Sequence, residues 1–193
     1  MDAVQKGKLI IFSAPSGSGK TTLVRHLISV TEKLSFSVSA ASRKKRPSEV
    51  DGKDYYFISV VDFKSKIKKN EFVEWEEVYP DHFYGTLFSE IERIRNEGQH
   101  VVFDVDVIGG LSIKKIFKDE ALAIFVKPPS VQELKNRLIK RASDDDDKIK
   151  IRIEKAEKEL SYESDFDTVI INDDLELAKK ETIKLVNQFI QAK

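Results

Sequence analysis

The chain has 193 residues with 33 basic and 33 acidic side chains, so its formal net charge is zero, and it contains no cysteine. The balance leaves no basic excess for gripping a nucleic-acid backbone, the missing thiols exclude disulfides and thiol chemistry, and no apolar run approaches the ~20 residues of a membrane span. One α/β domain with insertions is expected, and because Met1-Asp2-Ala3-Val4-Gln5 lacks the charged flank and apolar stretch of a signal peptide, so is a cytoplasmic location.

The first apolar run, Leu9-Ile10-Ile11-Phe12, predicts a buried strand over 9–13. Ala14-Pro15-Ser16-Gly17-Ser18-Gly19-Lys20-Thr21-Thr22 follows, and Leu23, Val24, Leu27 and Ile28 then recur at the spacing of a helix over 21–30. Strand, glycine-rich turn and helix in that order make a phosphate-binding loop: backbone N–H groups converge on a polyphosphate at the positive end of the helix dipole. In such a loop Lys20 reaches the β- and γ-phosphates and the Thr21 hydroxyl binds Mg²⁺. The strict pattern G-x-x-x-x-G-K-[ST] places Gly where Ala14 stands, a position at which a small residue is tolerated. The bland alternative, a plain left-handed turn before a solvated helix start, does not account for the strand and helix on either side.

From about 35 to 95 the rhythm changes. Phe36-Ser37-Val38-Ser39, Tyr55-Tyr56-Phe57-Ile58 and the run 72–79 are alternating or aromatic-rich, and predict short antiparallel strands in an inserted β-rich lobe. Helices are predicted over 61–69 and 87–96, the second closed by Gly98. The cluster Arg43-Lys44-Lys45-Arg46 has three readings: a nucleic-acid or localisation patch, a solvated turn, or an anion site for a small phosphate ester.

Beyond the lobe, strands are predicted over 101–106, 121–126 and 168–171, with helices over 110–118, 131–141 and 175–191. Ser130 and Glu133 have the spacing of a capping box. Alternating strand and helix argue for a doubly wound parallel sheet. Asp104 and Asp106 stand at alternate positions of the expected strand 101–106 and so share one face, while Arg137 and Arg141 are four apart on one helix face. The run 142–147, ending in four Asp, reads as a solvated loop, and His26, His82 and His100 as structural or surface residues.

A phosphate loop alone does not separate a kinase from a GTPase, but the guanine signature N-K-x-D is absent, Asn172-Asp173-Asp174 being the nearest string. The inserted lobe is more specific. Ser39-Ala40-Ala41-Ser42-Arg43-Lys44-Lys45-Arg46-Pro47, Gly52-Lys53-Asp54-Tyr55-Tyr56-Phe57, Asn70-Glu71-Phe72-Val73-Glu74-Trp75, Tyr84-Gly85-Thr86, Asp104-Val105-Asp106, Pro128-Pro129-Ser130 and Ile171-Asn172-Asp173-Asp174 occur in order. In these motifs the sequence resembles the guanylate kinases, phosphate-loop nucleoside monophosphate kinases, over nearly its whole length. It departs from them at Val107-Ile108, where an aromatic or Met and then Gln are usual, at Ala41-Ser42 and Ser48, and in a loop before Tyr84 one residue longer than usual.

The resemblance implies an α/β fold: a P-loop NTPase-type parallel-sheet core with helices on both faces (1–36, 97–129 and 160–193), a GMP-binding lobe (37–96) and a helical lid (130–159). It implies transfer of the γ-phosphoryl of ATP to GMP, and to dGMP, with Mg²⁺ as cofactor, in a protein that binds neither nucleic acid nor membrane. Residues Ala14 to Thr22 and Asn172 would hold ATP. Arg43, Arg46, Tyr55 and Tyr84 would hold the GMP phosphate, and Glu74, Ser39, Thr86 and Asp106 the guanine. Asp104 would hold the water shell of Mg²⁺, and Lys20, Arg137, Arg141 and Arg152 would close over the transferring phosphate. Arginine forks and a carboxylate facing two guanine N–H donors suit these tasks chemically. The rivals are a kinase for another phosphate ester and a non-catalytic scaffold module of the same fold. Scaffold modules typically degrade the loop that Gly19, Lys20 and Thr21 keep intact here.

Overall fold

The structure, a computed structural model, describes residues 6–141 and 146–192, with side chains from 6–139 and 151–192. The expected acidic loop falls mostly on 142–145, outside the described residues. The chain opens with β1 (Leu9–Ser13), every residue of it buried, then α1 (Lys20–Val30) and β2 (Leu34–Phe36). It then builds β3 (Ala40–Ala41), β4 (Tyr56–Phe57), α2 (Val60–Lys68), β5 (Phe72–Tyr79) and β6 (His82–Leu87). Helix α3 (Phe88–Asn96) leads back to β7 (His100–Asp104), α4 (Val107–Phe117) and β8 (Ala121–Lys127). Helices α5 (Val131–Arg141) and α6 (Asp146–Leu160), strand β9 (Thr168–Ile171) and helix α7 (Leu175–Gln191) complete the chain.

Among the described residues there are two sheets. The first, in the order β2-β7-β1-β8-β9, is parallel throughout. Its central strand is buried on both faces, which is why β1 reads as an unbroken apolar run. Ile10 and Phe12 pack with Leu23 and Leu27 of α1 and Val186 of α7, while Leu9 and Ile11 pack with Ile113 of α4 and with Ile91 and Ile94 of α3. The second sheet, β4-β3-β6-β5, has its own core, where Phe63 of α2 stacks on Phe72 and Phe83 at 4.3 and 5.3 Å between ring centroids.

Several expectations are corrected. Phe36 ends β2 in the first sheet, and Ser37 to Ser39 form a connector instead of a lobe strand. The second sheet is not wholly antiparallel, because β3 pairs with β4 in parallel. Strand β6, unpredicted, returns from β5 through a turn that holds Asp81 at φ 60°. The strand expected over 101–106 stops at Asp104, since Asp106 accepts from the Gly109 N–H at 2.7 Å and starts α4 at Val107, three residues before the helix predicted from 110. Strict strand alternation would bury Trp75 on the same face as Val73. A bulge at Val73 instead buries Phe72 and Val73 in succession and leaves Trp75 46% exposed.

Candidate functional site

The phosphate loop runs from β1 into α1. Gly17 and Gly19 hold φ 94° and 88°, the left-handed conformation that favours glycine. Gly19 has a second constraint: a Cβ there would sit 2.2 Å from Nδ2 of Asn172, which donates to the Ser18 carbonyl at 2.7 Å. Asn172, at the end of β9, thereby fixes the loop from outside. Ala14 is buried and is not among the described residues with positive φ, so its Cβ imposes no strain.

At the start of α1 the Lys20 ammonium lies 2.5 Å from Asp104 and donates to the Val105 carbonyl. Thr21 Oγ1 donates to the other Asp104 oxygen at 2.7 Å. Strands β1 and β7 are neighbours in register, Phe12 opposite Asp104, which brings these groups together. A cleft of about 360 Å³ lies over them, lined by the loop, Asp104, Asp106, Arg152, Lys155 and Glu159. A hydroxyl and a carboxylate converging beside a polyphosphate cradle are a hard-oxygen donor set and fit Mg²⁺, which takes few protein ligands and completes its shell with water and phosphate.

The second sheet supplies another cationic centre. Arg43 donates from Nε to the Tyr84 hydroxyl at 3.0 Å, and its fork grips both oxygens of Glu49 at 2.6 and 2.5 Å. Its guanidinium lies 5.1 Å from the centroid of the Tyr55 ring. That bidentate bond holds the Glu49 carboxyl down at about 2 and raises Arg43. Tyr55 is pushed up, first by burial and then by Tyr84. Arg46 is exposed, and its backbone N–H, not its side chain, meets Glu49, at 2.8 Å. Thr21 and Asp104 from the phosphate-loop side line one cavity, of about 660 Å³, with Ser39 of the connector and Glu49 and Tyr55 of the loop between β3 and β4.

Next to that centre, Glu74 Oε1 accepts from the Thr86 hydroxyl at 2.7 Å. Burial, partly offset by this bond and reinforced by the Asp106 charge, pushes the Glu74 carboxyl up. Its other oxygen reaches toward Gly109, where a Cβ would stand 2.9 Å away. Glu74, Asp106, Ile108 and Gly109 line a cavity of about 370 Å³. Burial of Asp106 is outweighed by hydrogen bonds from Glu76 and from the Gly109 N–H, so it stays below its ordinary value, whereas the shared bond and burial push Glu76 up to about 7.

The expected arginines do not sit together. Arg152 lines the phosphate cleft, whereas Arg137 pairs with Glu133 one helical turn away at 2.9 Å and points at the Asn172 carbonyl, beside Gly17 and Leu175. The Arg141 side chain lies outside the described residues. Ser130 Oγ accepts from the Glu133 N–H at 3.0 Å, as a capping box requires, and the Glu133 carboxylate also takes Arg137. Glu49, Glu76, Lys155 and Glu159 are site residues that sequence reasoning did not single out. The signal for Glu76 was its position two residues from Glu74, on the same strand face.

A parallel sheet with a phosphate loop on its central strand, facing a second sheet that presents arginine, phenols and a half-buried carboxylate, defines a phosphate-loop kinase with a built-in acceptor site. The guanylate kinase family model matches residues 6–193. The guanylate kinase of Porphyromonas gingivalis is 52% identical over 184 residues, covering 95% of this chain and 98% of that one, and that of Bacteroides thetaiotaomicron 50% over 184 residues, covering 95% and 90%. A crystal structure of guanylate kinase from Anaplasma phagocytophilum superposes with a TM-score of 0.75 at 26% identity, covering 97% of this chain and 88% of that one. This chain belongs to the guanylate kinase family.

Proposed function

We infer that this chain carries the family reaction, transfer of the γ-phosphoryl of ATP to GMP to give ADP and GDP. One observation in the structure carries the assignment of roles: Thr21 at the start of α1, Asp104 at the end of β7, Ser39 of the connector and Glu49 and Tyr55 of the loop before β4 line a single cavity, so a donor and an acceptor phosphate would meet across it. Residues 14–22 wrap the ATP phosphates, with Lys20 neutralising charge as it develops. Asn172 and the cavity shared by Arg137 and Leu175 lie where the adenosine end would leave the loop.

Arg43, flanked by Tyr55 and Tyr84 and held by Glu49, receives the GMP phosphate, and Arg46 adds a cation from the loop outside it. Glu74 accepts from the guanine N1–H and amino group, Thr86 fixes the carboxylate that does so, and Asp106 stands beside it. Ser39 is the remaining guanine-side residue. Thr21 and Asp104 would hold Mg²⁺, which when bound supplies charge neutralisation on the transferring phosphate. Arg152 and Arg141 are the proposed transition-state cations of a lid over 130–159. Arg137 joins them only if it leaves Glu133. No side chain in this assignment reads the ribose 2′ position, so dGMP is a second acceptor, and the reaction takes place in the cytoplasm. Among the described residues no helix is long and apolar enough to cross a membrane.

The test is coupled ADP production with ATP–Mg²⁺ and each of GMP, dGMP, AMP, CMP and UMP. Turnover with the guanine nucleotides alone is expected. GMP binding without turnover would replace this reading with the scaffold one.

A further inference from the structure

The second sheet hangs from the first by two stretches of chain, the connector 37–39 going out and α3 coming back. Glu90, in the first turn of α3, is only 3% exposed. Its carboxylate accepts from the Val38 N–H at 3.2 Å and from the Tyr56 hydroxyl at 2.8 Å, and Arg93 closes over both oxygens at 2.9 Å. The outgoing connector, the returning helix and strand β4 therefore meet on one buried charge.

A buried carboxylate is costly unless every lone pair is used. Burial works to raise the Glu90 carboxyl, but the bonds from Arg93, Tyr56 and Val38 outweigh it and hold the group ionised. Packing alone does not require a charge at this place, since an apolar residue of similar volume would fill it. What the charge adds is direction. Val38 is adjacent to Ser39 and Tyr56 to Tyr55, so the two backbone segments that Glu90 fixes are the ones that carry two acceptor-site residues.

We propose that Glu90 is a positioning residue for GMP, setting through Val38 and Tyr56 where Ser39 and Tyr55 stand relative to the phosphate loop. The inference rests on the reading that Ser39 and Tyr55 face GMP. Glu90 bonds to Val38, Tyr56 and Arg93, none of them a residue assigned to either nucleotide.

The experiment measures KM and kcat for GMP and for ATP, together with Tm, in the full chain carrying Glu90→Gln, Tyr56→Phe or, as a control on the site itself, Tyr55→Phe. Misplacement of an orienting group by about an ångström costs up to ~10²-fold. Glu90→Gln is accordingly expected to raise KM for GMP by about tenfold and leave KM for ATP within about twofold. Tyr56→Phe, which removes one bond and no charge, gives a smaller rise in the same direction, and decides the matter if Glu90→Gln does not fold. A lowered Tm with KM for GMP unchanged in both variants overturns the proposal and leaves Glu90 a purely structural residue. If Tyr55→Phe also leaves KM for GMP unchanged, the site assignment fails as well. If only the Glu90 and Tyr56 variants are silent, the positioning role alone fails.

Discussion

Glu74 is the residue whose surroundings most constrain its task. It is half-buried and fixed by Thr86 at 2.7 Å, and it presents its second oxygen toward the cavity beside Gly109. A charged acceptor preorganised in this way loses about 1.5–3 kcal/mol per hydrogen bond when it becomes an amide. Glu74→Gln is therefore expected to lower kcat/KM for GMP by about 10²-fold while KM for ATP holds, measured by coupled ADP production. Glu76, two residues along β5, gives a pH test. It titrates at about 7 in the fold because it shares a bond with Asp106 and is partly buried, with Lys155 3.8 Å away and Glu159 also facing it. An acid raised above its ordinary value of 4.5 binds more protons in the native state, so its contribution to stability is complete below about 4.5 and is lost as the pH rises through about 7. Glu76→Gln removes that decline, about 1 kcal/mol after solvent screening of the half-exposed side chain, as read by urea unfolding at pH 5 and pH 8.

At the scale of elements, close approach decides more than propensity. Helix α4 crosses β1 at Gly110, where a Cβ would stand 2.2 Å from Ser13 Oγ and 3.2 Å from Ile11 Cγ2. Replacing a helical glycine with alanine ordinarily stabilises by roughly 0.5–1 kcal/mol. In Gly110→Ala the buried Ser13 hydroxyl must swing away and give up its 2.9 Å bond to the Asp106 carbonyl, or the helix must shift, and overpacking costs about 1–3 kcal/mol. A net loss is expected in thermal unfolding, together with weaker GMP binding, because Asp106 and Gly109 at the start of the same helix border the cavity proposed for guanine. Helix α1 makes the matching point: it starts at Lys20 because Gly19 in its left-handed conformation ends the loop there, and Lys20 and Thr21 then face Asp104 across neighbouring strands.

For the whole molecule, the separation of cores matters. The second sheet is held by Phe63, Phe72 and Phe83 with Leu87, apart from the clusters on the two faces of the first sheet, one of which also takes in Val73 of β5 and Ile91 and Ile94 of α3. The separate Phe63 cluster suits the proposed GMP lobe, whose closing helix α3 packs on the core. Phe63→Ala empties a fully buried site under the second sheet and is expected to cost about 3–5 kcal/mol. If the two cores are separable, calorimetric titration will show GMP affinity falling while ATP affinity is retained, and an equal loss of both would show that they are one unit.

The sequence by itself determined the local pattern and the chemistry it allows. The buried run 9–13, the glycines at 17 and 19, and the helical repeat after Lys20 defined the phosphate loop, because each is a short-range requirement of strand, turn or helix. Ordered motifs named Arg43, Tyr55, Glu74 and Tyr84 as one family's acceptor residues. Only the tertiary structure decided which groups meet. Asp106 left the strand because it caps a helix, Trp75 came to the surface because a bulge turned β5, and Arg137 is held by Glu133 and the Asn172 carbonyl at the end of β9. Glu49 on Arg43 and Glu90 between two connectors are contacts that form only when segments distant in sequence or separated by a turn are packed together. Periodicity carries no information about such pairs, since their free energy depends on burial and geometry that the rest of the chain supplies.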